Sequence, residues 1–110
     1  MIIDGQAAFR RLLQHHVSTH WPDAIITDFD PIVSGHLPDE FSGAGNDVIL
    51  LGSELGDRQG VDVVKRFKTK PGFPAVVYFG RKDEAGPVLD RGADGCFLRQ
   101  GFSHDALIVR

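Results

Sequence analysis

The sequence predicts an α/β domain, a doubly wound parallel sheet built from five βα units. Three observations point there. Apolar runs of strand length alternate with stretches of helical periodicity. The run Ala75 to Phe79 is apolar throughout, as suits a parallel strand covered on both faces. Turn residues such as Pro22, Gly52, Pro71 and Gly72 fall between these runs rather than inside them. With 110 residues, 42% hydrophobic and 25% charged, the chain is expected to be a single domain over 1–110 whose core needs no metal or disulfide.

Met1 to Asp4 reads as a short first strand. From Gln6 onward Phe9, Leu12, Leu13, His16, Val17 and His20 follow the spacing of one helix face, and Pro22 closes that helix. Ala24 to Asp28 reads as the second strand. The stretch after it, rich in Pro, Gly and acids, leaves room only for a short helix near Pro38 to Ser42. Asn46 to Leu51 is the third strand, followed by a loop from Gly52 to Gln59 and a helix near Gly60 to Thr69 that Pro71 and Gly72 stop. Ala75 to Phe79 is the fourth strand. A fourth helix is expected between Arg81 and Arg91, but Gly86 and Pro87 lie in its middle, and an internal proline costs ~3 kcal/mol, so it should be short or broken. Gly95 to Leu98 forms the fifth strand. Ser103 then caps a last, truncated helix with Ala106, Leu107 and Val109 on its apolar face.

A net charge of −3 weighs against nucleic-acid binding by this domain, because its field repels a phosphate backbone. No apolar run approaches the ~20 residues that span a bilayer, and no secretory leader is expected, since Asp4 and a charged helical pattern follow Met1 at once. Cys96, the one cysteine, has no intramolecular partner and fits a reducing cytoplasm. The cations Lys65, Arg66, Lys68 and Lys70 read first as a solvated helix face and second as a docking patch. His16 and His20 have the spacing of a metal pair, but no acid or cysteine is placed to complete a shell, so no metal is assigned to them. No strand-then-helix context accompanies Gly35, Gly43 and Gly45, which excludes a P-loop or dinucleotide fingerprint there.

In such a sheet, ligands and catalysis belong at the carboxyl ends of the strands, where Asp4, Gly5, Gly52, Phe79 and Arg99 fall. Four segments in order carry a resemblance: Ile3 to Leu13 (IDGQAAFRRLL), Asp47 to Gly60 (DVILLGSELGDRQG), Pro74 to Asp83 (PAVVYFGRKD) and Arg91 to Gln100 (RGADGCFLRQ). Together they resemble a response-regulator receiver domain over nearly the whole chain. The resemblance implies a flavodoxin-like fold with strand order 2-1-3-4-5. It also implies phosphoryl transfer from a histidine kinase to an aspartate at the end of the third strand, assisted by a magnesium ion.

The residues at the matched positions do not suit that chemistry. Gly52 stands at the acceptor position and has no oxygen to attack a phosphohistidine. Gly5 stands at the second acid, Phe79 at the hydroxyl residue and Arg99 at the lysine, while Glu54 would offer a metal at most its backbone carbonyl. The resemblance is therefore to a degenerate receiver, a pseudo-receiver with no enzymatic activity and no magnesium or other cofactor. Two geometric expectations follow. The Phe79 ring fills the volume left beside Gly52, and Arg99 pairs its guanidinium with Asp4 instead of pointing it into water.

The function implied is a phosphorylation-independent protein interaction module. It would be the N-terminal part of a longer bacterial signalling protein, acting on its own output domain, a second copy or a separate partner. Candidate contact residues are His16 and His20 on the first helix and Lys65, Arg66 and Lys68 on the third. On the fourth-helix to fifth-helix side, a face the family uses for dimerisation, they are Asp90, Arg91, Phe102 and Leu107. The alternative is a sensor of a small molecule or anion that uses the altered pocket around Arg99. Ser53, beside Gly52, is a lesser candidate for modification by a protein kinase.

Overall fold

The computed structural model describes residues 1–38 and 40–100. The predicted last helix, with Ser103, Ala106, Leu107 and Val109, and the contact residue Phe102 lie outside them. Five parallel strands, β1 (Ile2–Ile3), β2 (Asp28–Phe29), β3 (Val48–Gly52), β4 (Ala75–Gly80) and β5 (Gly95–Leu98), form one sheet in the order β2-β1-β3-β4-β5. The helices are α1 (Ala7–His20), α2 (Pro31–Ser34), α3 (Gly60–Lys68) and α4 (Ala85–Asp90), with a single 3-10 turn, Lys82–Glu84, leading into α4. This is the doubly wound sheet that the order of elements predicts, with the flavodoxin-like strand order that the resemblance implies.

Alternation along the strands splits the core into two layers. Ile2, Leu50 and Phe79 pack with Phe9 and Leu13 of α1 on one face. On the other, Ile3, Ile49, Leu51, Val76 and Tyr78 pack with Val64 and Phe67 of α3 and Val88 of α4. The apolar spacing of α1 thus resolves into two buried residues, Phe9 and Leu13, while Leu12 stays 42% exposed. In α3 the buried positions Gly60, Val64 and Phe67 mark one stripe, and Lys65, Arg66 and Lys68 sit in the last turn, where cations complement the helix dipole.

Two elements differ from the sequence reading, and a third meets it in a particular way. β2 is two residues, not the five from Ala24 to Asp28, because β1 offers only Ile2 and Ile3 as partners, opposite Asp28 and Phe29. Ile25 lies beyond that ladder and is 94% exposed. The short helix expected near Pro38 to Ser42 forms earlier, as α2. Asp30 caps it by accepting the Ile32 and Val33 N–H groups at 2.9 and 3.2 Å, and Pro31 occupies the first turn, where its missing N–H costs nothing. The fourth helix is short, as expected, but continuous through Pro87. The preceding 3-10 turn places that proline in the first turn of α4 rather than in a helix interior.

Candidate functional site

Asp4 leaves the end of β1 fully buried, the only charged side chain buried among the described residues. Burial of a carboxylate is costly unless every oxygen is satisfied. Here both are. Arg99, just after β5, donates from Nη1 to Oδ1 and from Nη2 to Oδ2, each at 2.8 Å, a bidentate fork. The Gln6 N–H donates to Oδ2 at 2.9 Å and the Glu54 N–H to Oδ1 at 3.1 Å. One carboxylate therefore joins β1, the start of α1, the loop after β3 and the end of β5. The expected pairing of Asp4 with Arg99 is what the structure contains.

Arg99 is itself held on several sides. Nη2 also donates to Gln6 Oε1 at 2.6 Å, Nη1 lies 3.5 Å from Ser53 Oγ, and the guanidinium carbon sits 4.0 Å over the Phe9 ring. Its N–H donates to the Gly80 carbonyl at 2.9 Å, continuing the β4–β5 ladder. A free anion seeking this guanidinium would compete with a carboxylate that already fills its fork.

Gly52 explains how the pair fits. A methyl group at this position would overlap the Asp4 carboxylate, lying 2.6 Å from its Cγ, and would come within 3.0 Å of Arg99 Nη1. Because Asp4 is pinned by four hydrogen bonds, it cannot step aside cheaply. The expectation that the Phe79 ring fills this volume is corrected here: Phe79 is fully buried, but it stacks on Phe97 at 5.7 Å and meets Phe9 edge-on at 5.7 Å. The ion pair fills the space over Gly52. Alternation turns Asp4, Gly52 and Phe79 to one face, but the Phe79 ring packs against Phe9 and Phe97, and Arg99 reaches back from β5 to hold Asp4 over Gly52.

The other residues at this end of the sheet are also accounted for. Gly5 is closed in by Ile32 and by the Glu54 carbonyl, 2.9 Å from where its side chain would begin. That carbonyl already accepts the Gly5 N–H at 2.7 Å, and the Glu54 side chain is exposed. Arg10, which the sequence reading passed over, donates to the Asp4 carbonyl at 2.8 Å and to Asp28 at 3.1 Å, and pairs with Asp30 at 3.4 Å. The signal that could have revealed it was a cation in the first turn of α1 facing two acids at the end of β2. Among the described residues no group of three or more His, Cys, Asp and Glu side chains is placed to hold a metal ion.

A second polar pair on the opposite face was also missed. Tyr78, fully buried in β4, donates its hydroxyl to Glu84 Oε2 at 2.8 Å, and Glu84 Oε1 accepts the Arg81 N–H at 2.7 Å. Burial, reinforced by the hydrogen bond and charge of Glu84, pushes the phenol far above its ordinary range. Burial also pushes up the Cys96 thiol, which pairs with Tyr78 in the β4–β5 register.

The candidate contact residues are scattered. His16 is partly buried beside Phe9, Leu12 and Arg99, whereas His20 is exposed with its ring edge-on to Trp21 at 4.5 Å. Lys65 is exposed, but Lys68 is bound to Asp94 at 3.0 Å and to the Pro74 carbonyl at 3.4 Å, so it ties α3 to the sheet. Arg66 lines a cavity on the α3 side of the sheet. Asp90 and Arg91 are exposed at the end of α4.

Neither a protein-family model nor a curated protein sequence matches the chain. Solved structures do. A signal receiver domain of a DNA-binding response regulator from Colwellia psychrerythraea 34H superposes with a TM-score of 0.78 at 21% identity, over 96% of this chain and 88% of that one. A response regulator receiver domain from Rhodospirillum rubrum gives 0.72 at 20% identity, over 99% and 86%. The phosphorylated cyanobacterial phytochrome response regulator RcpA gives 0.69 at 17% identity, over 98% and 84%. At these identities the likeness is one of fold: this chain has the fold of a response-regulator receiver domain. Among the described residues, no helix is long and apolar enough to cross a membrane.

Proposed function

We propose that this chain is a regulatory domain of receiver type that has lost phosphoryl transfer and acts as a phosphorylation-independent interaction module. One observation carries the reading. Where the receiver fold would present an acceptor carboxylate at the end of β3, there is Gly52, and the space above it is filled by the Asp4–Arg99 pair. At the matched position Gly52 supplies no nucleophile, the cation position is taken by a guanidinium, and the buried Asp4 has no carboxylate oxygen without a hydrogen bond. The module carries out no catalysis and uses no magnesium.

In this reading the domain is the N-terminal part of a longer bacterial, cytoplasmic signalling protein. It binds its own output domain, a second copy or a separate protein. Lys65, Asp90 and Arg91 are the sequence-predicted contact residues on α3 and α4 whose side chains are exposed. The anion-sensing alternative draws no support from Arg99, whose fork faces Asp4.

The test is a two-dimensional NMR titration of the labelled domain with magnesium and a beryllofluoride phosphoryl mimic. No localised shifts are expected at residues 4, 52, 79 and 99. Saturable shifts there would overturn the reading and restore a phosphate-driven switch.

A further inference from the structure

We propose that the β2 edge of the sheet docks a cationic amphipathic helix of a partner protein. This is one surface of the interaction module proposed above and rests on that reading, with the partner's chemistry now specified.

Two observations coincide at this edge, and the first is apolar exposure. Among the described residues the most exposed large hydrophobic side chains are Ile25 at 94%, Val33 at 81% and Ile32 at 57%, all within nine consecutive residues. They are bare because the helix layer is incomplete here. A sheet face must be covered by a helix or its equivalent. Yet α2 is only Pro31–Ser34, and at Gly35, with φ of 79°, the chain turns out of the helix. Phe29 joins the core on the α3 side and Ile26 the core on the α1 side, so alternation turns Ile25 to the α3 side, where it stays uncovered.

The second observation is charge. Residues 12–57 hold eight of the fifteen acids and none of the twelve Lys and Arg, so with His neutral they carry −8 and the rest of the chain +5. The cations that bound this stretch are taken up. Arg10 is spent on Asp28 and Asp30, and Arg58 sits by the charge of Asp57. Asp23 and Glu54 are exposed and form no ion pair among the described residues. Asp23 lies two residues from Ile25, and Glu54 borders Ile32, since both close in on Gly5. The apolar strip thus has a carboxylate at either end.

An apolar strip bordered by carboxylates matches a helix whose apolar stripe is flanked by Lys or Arg. The segment from Ile25 to Phe29 spans ~13 Å, the length of about nine helical residues, so two to three turns of a partner helix would complete the layer. The same negative field repels a nucleic acid or an anionic lipid surface.

The probe is a synthetic peptide of about 18 residues, long enough to hold a helix, with a leucine stripe flanked by lysines. It is added to the full chain with Ile and Val methyl groups labelled, and the control peptide carries glutamate for each lysine. Saturable shifts of the Ile25, Ile32 and Val33 methyls are expected, with a dissociation constant on the order of 10 μM that weakens as salt rises. The glutamate peptide should produce none. Ile25→Ser and Val33→Ser, at exposed positions, should each weaken binding about tenfold, and Glu54→Gln about threefold, with the denaturation midpoint unchanged. Leu89→Ser, at an exposed apolar position on α4, should leave the affinity as it is. Equal binding of the two peptides, shifts centred on α4 and β5, or unchanged affinity in both Ile25→Ser and Val33→Ser would each overturn the docking surface. Such a failure leaves the module reading standing as long as the beryllofluoride titration is silent at residues 4, 52, 79 and 99. Shifts at those residues would overturn the module reading whatever the peptide does.

Discussion

The carboxyl end of the sheet buries a polar pair on each face, and each pair lies against glycine. On the α1 face Asp4 and Arg99, 95 residues apart in sequence, fill the space over Gly52. On the α3 face Tyr78 and Glu84, six residues apart, use the space that Gly60 and Gly80 leave open. The first pair is ionic and closes the sheet from β1 to β5. The second is a phenol on a carboxylate and fixes only the turn that leaves β4. In both places a glycine exists because a neighbour's side chain occupies the volume its own would need. They differ in what happens when one partner is lost: a charge left alone in a buried site cannot be tolerated, whereas a hydroxyl can be deleted cleanly.

The largest effect should therefore follow removal of Arg99. Arg99→Ala leaves the Asp4 carboxylate buried without its countercharge and should destabilise the domain by about 3–5 kcal/mol in urea unfolding. A loss below about 1 kcal/mol would mean that Asp4 finds water or another donor, and the contrast between the faces would collapse. Next come the glycines. Gly60→Ala drives a methyl into the Tyr78 ring, and Gly52→Ala drives one into the Asp4 carboxylate. Each should cost about 1–3 kcal/mol by overpacking, and Gly52→Ala should be the worse because its neighbour is pinned by four hydrogen bonds. Reversal of that order, read from denaturation midpoints, would show that the ionic pair is the more pliable of the two.

Tyr78→Phe should cost less, about 0.5–1.5 kcal/mol, since Glu84 keeps the Arg81 N–H as a donor. Chemical shifts should change around the Arg81–Glu84 turn and stay unchanged at Asp4. The smallest effect belongs to Asp94. Partial burial pushes its carboxyl up, but the Val76 N–H and the Lys68 ammonium outweigh this and hold it below the usual carboxylate range. Because the folded pKa is depressed, the stabilisation is present above the unfolded value of about 3.9 and is lost as pH falls through the lower, folded value. Asp94 is largely exposed, so the contribution should stay under about 1 kcal/mol, and Asp94→Asn should remove that part of the acid slope.

Much of the fold is legible along the chain, and the failures share a cause. The strands at Val48–Gly52, Ala75–Gly80 and Gly95–Leu98 stand close to where apolar runs place them, since each pairs with at least one neighbour along its length. β2 does not, because strand length is fixed by the partner available, and Ala24 to Ile26 look equally suitable in isolation. The helix after β2 stands earlier than the Gly- and Pro-rich stretch suggests, because its start signal is only the two residues Asp30 and Pro31.

By itself the sequence determined the alternation of strands and helices, the absence of an oxygen at Gly52, and the presence of an acid at the end of the first strand and a guanidinium at the end of the fifth. Only the tertiary structure decided that Asp4, and not Phe79, occupies the volume over Gly52, and that a second glycine cradle holds Tyr78. The physical reason is that alternation along a strand fixes which face a side chain takes. Which neighbour fills a gap on that face depends on contacts between strands that are distant in sequence, and no local pattern encodes those.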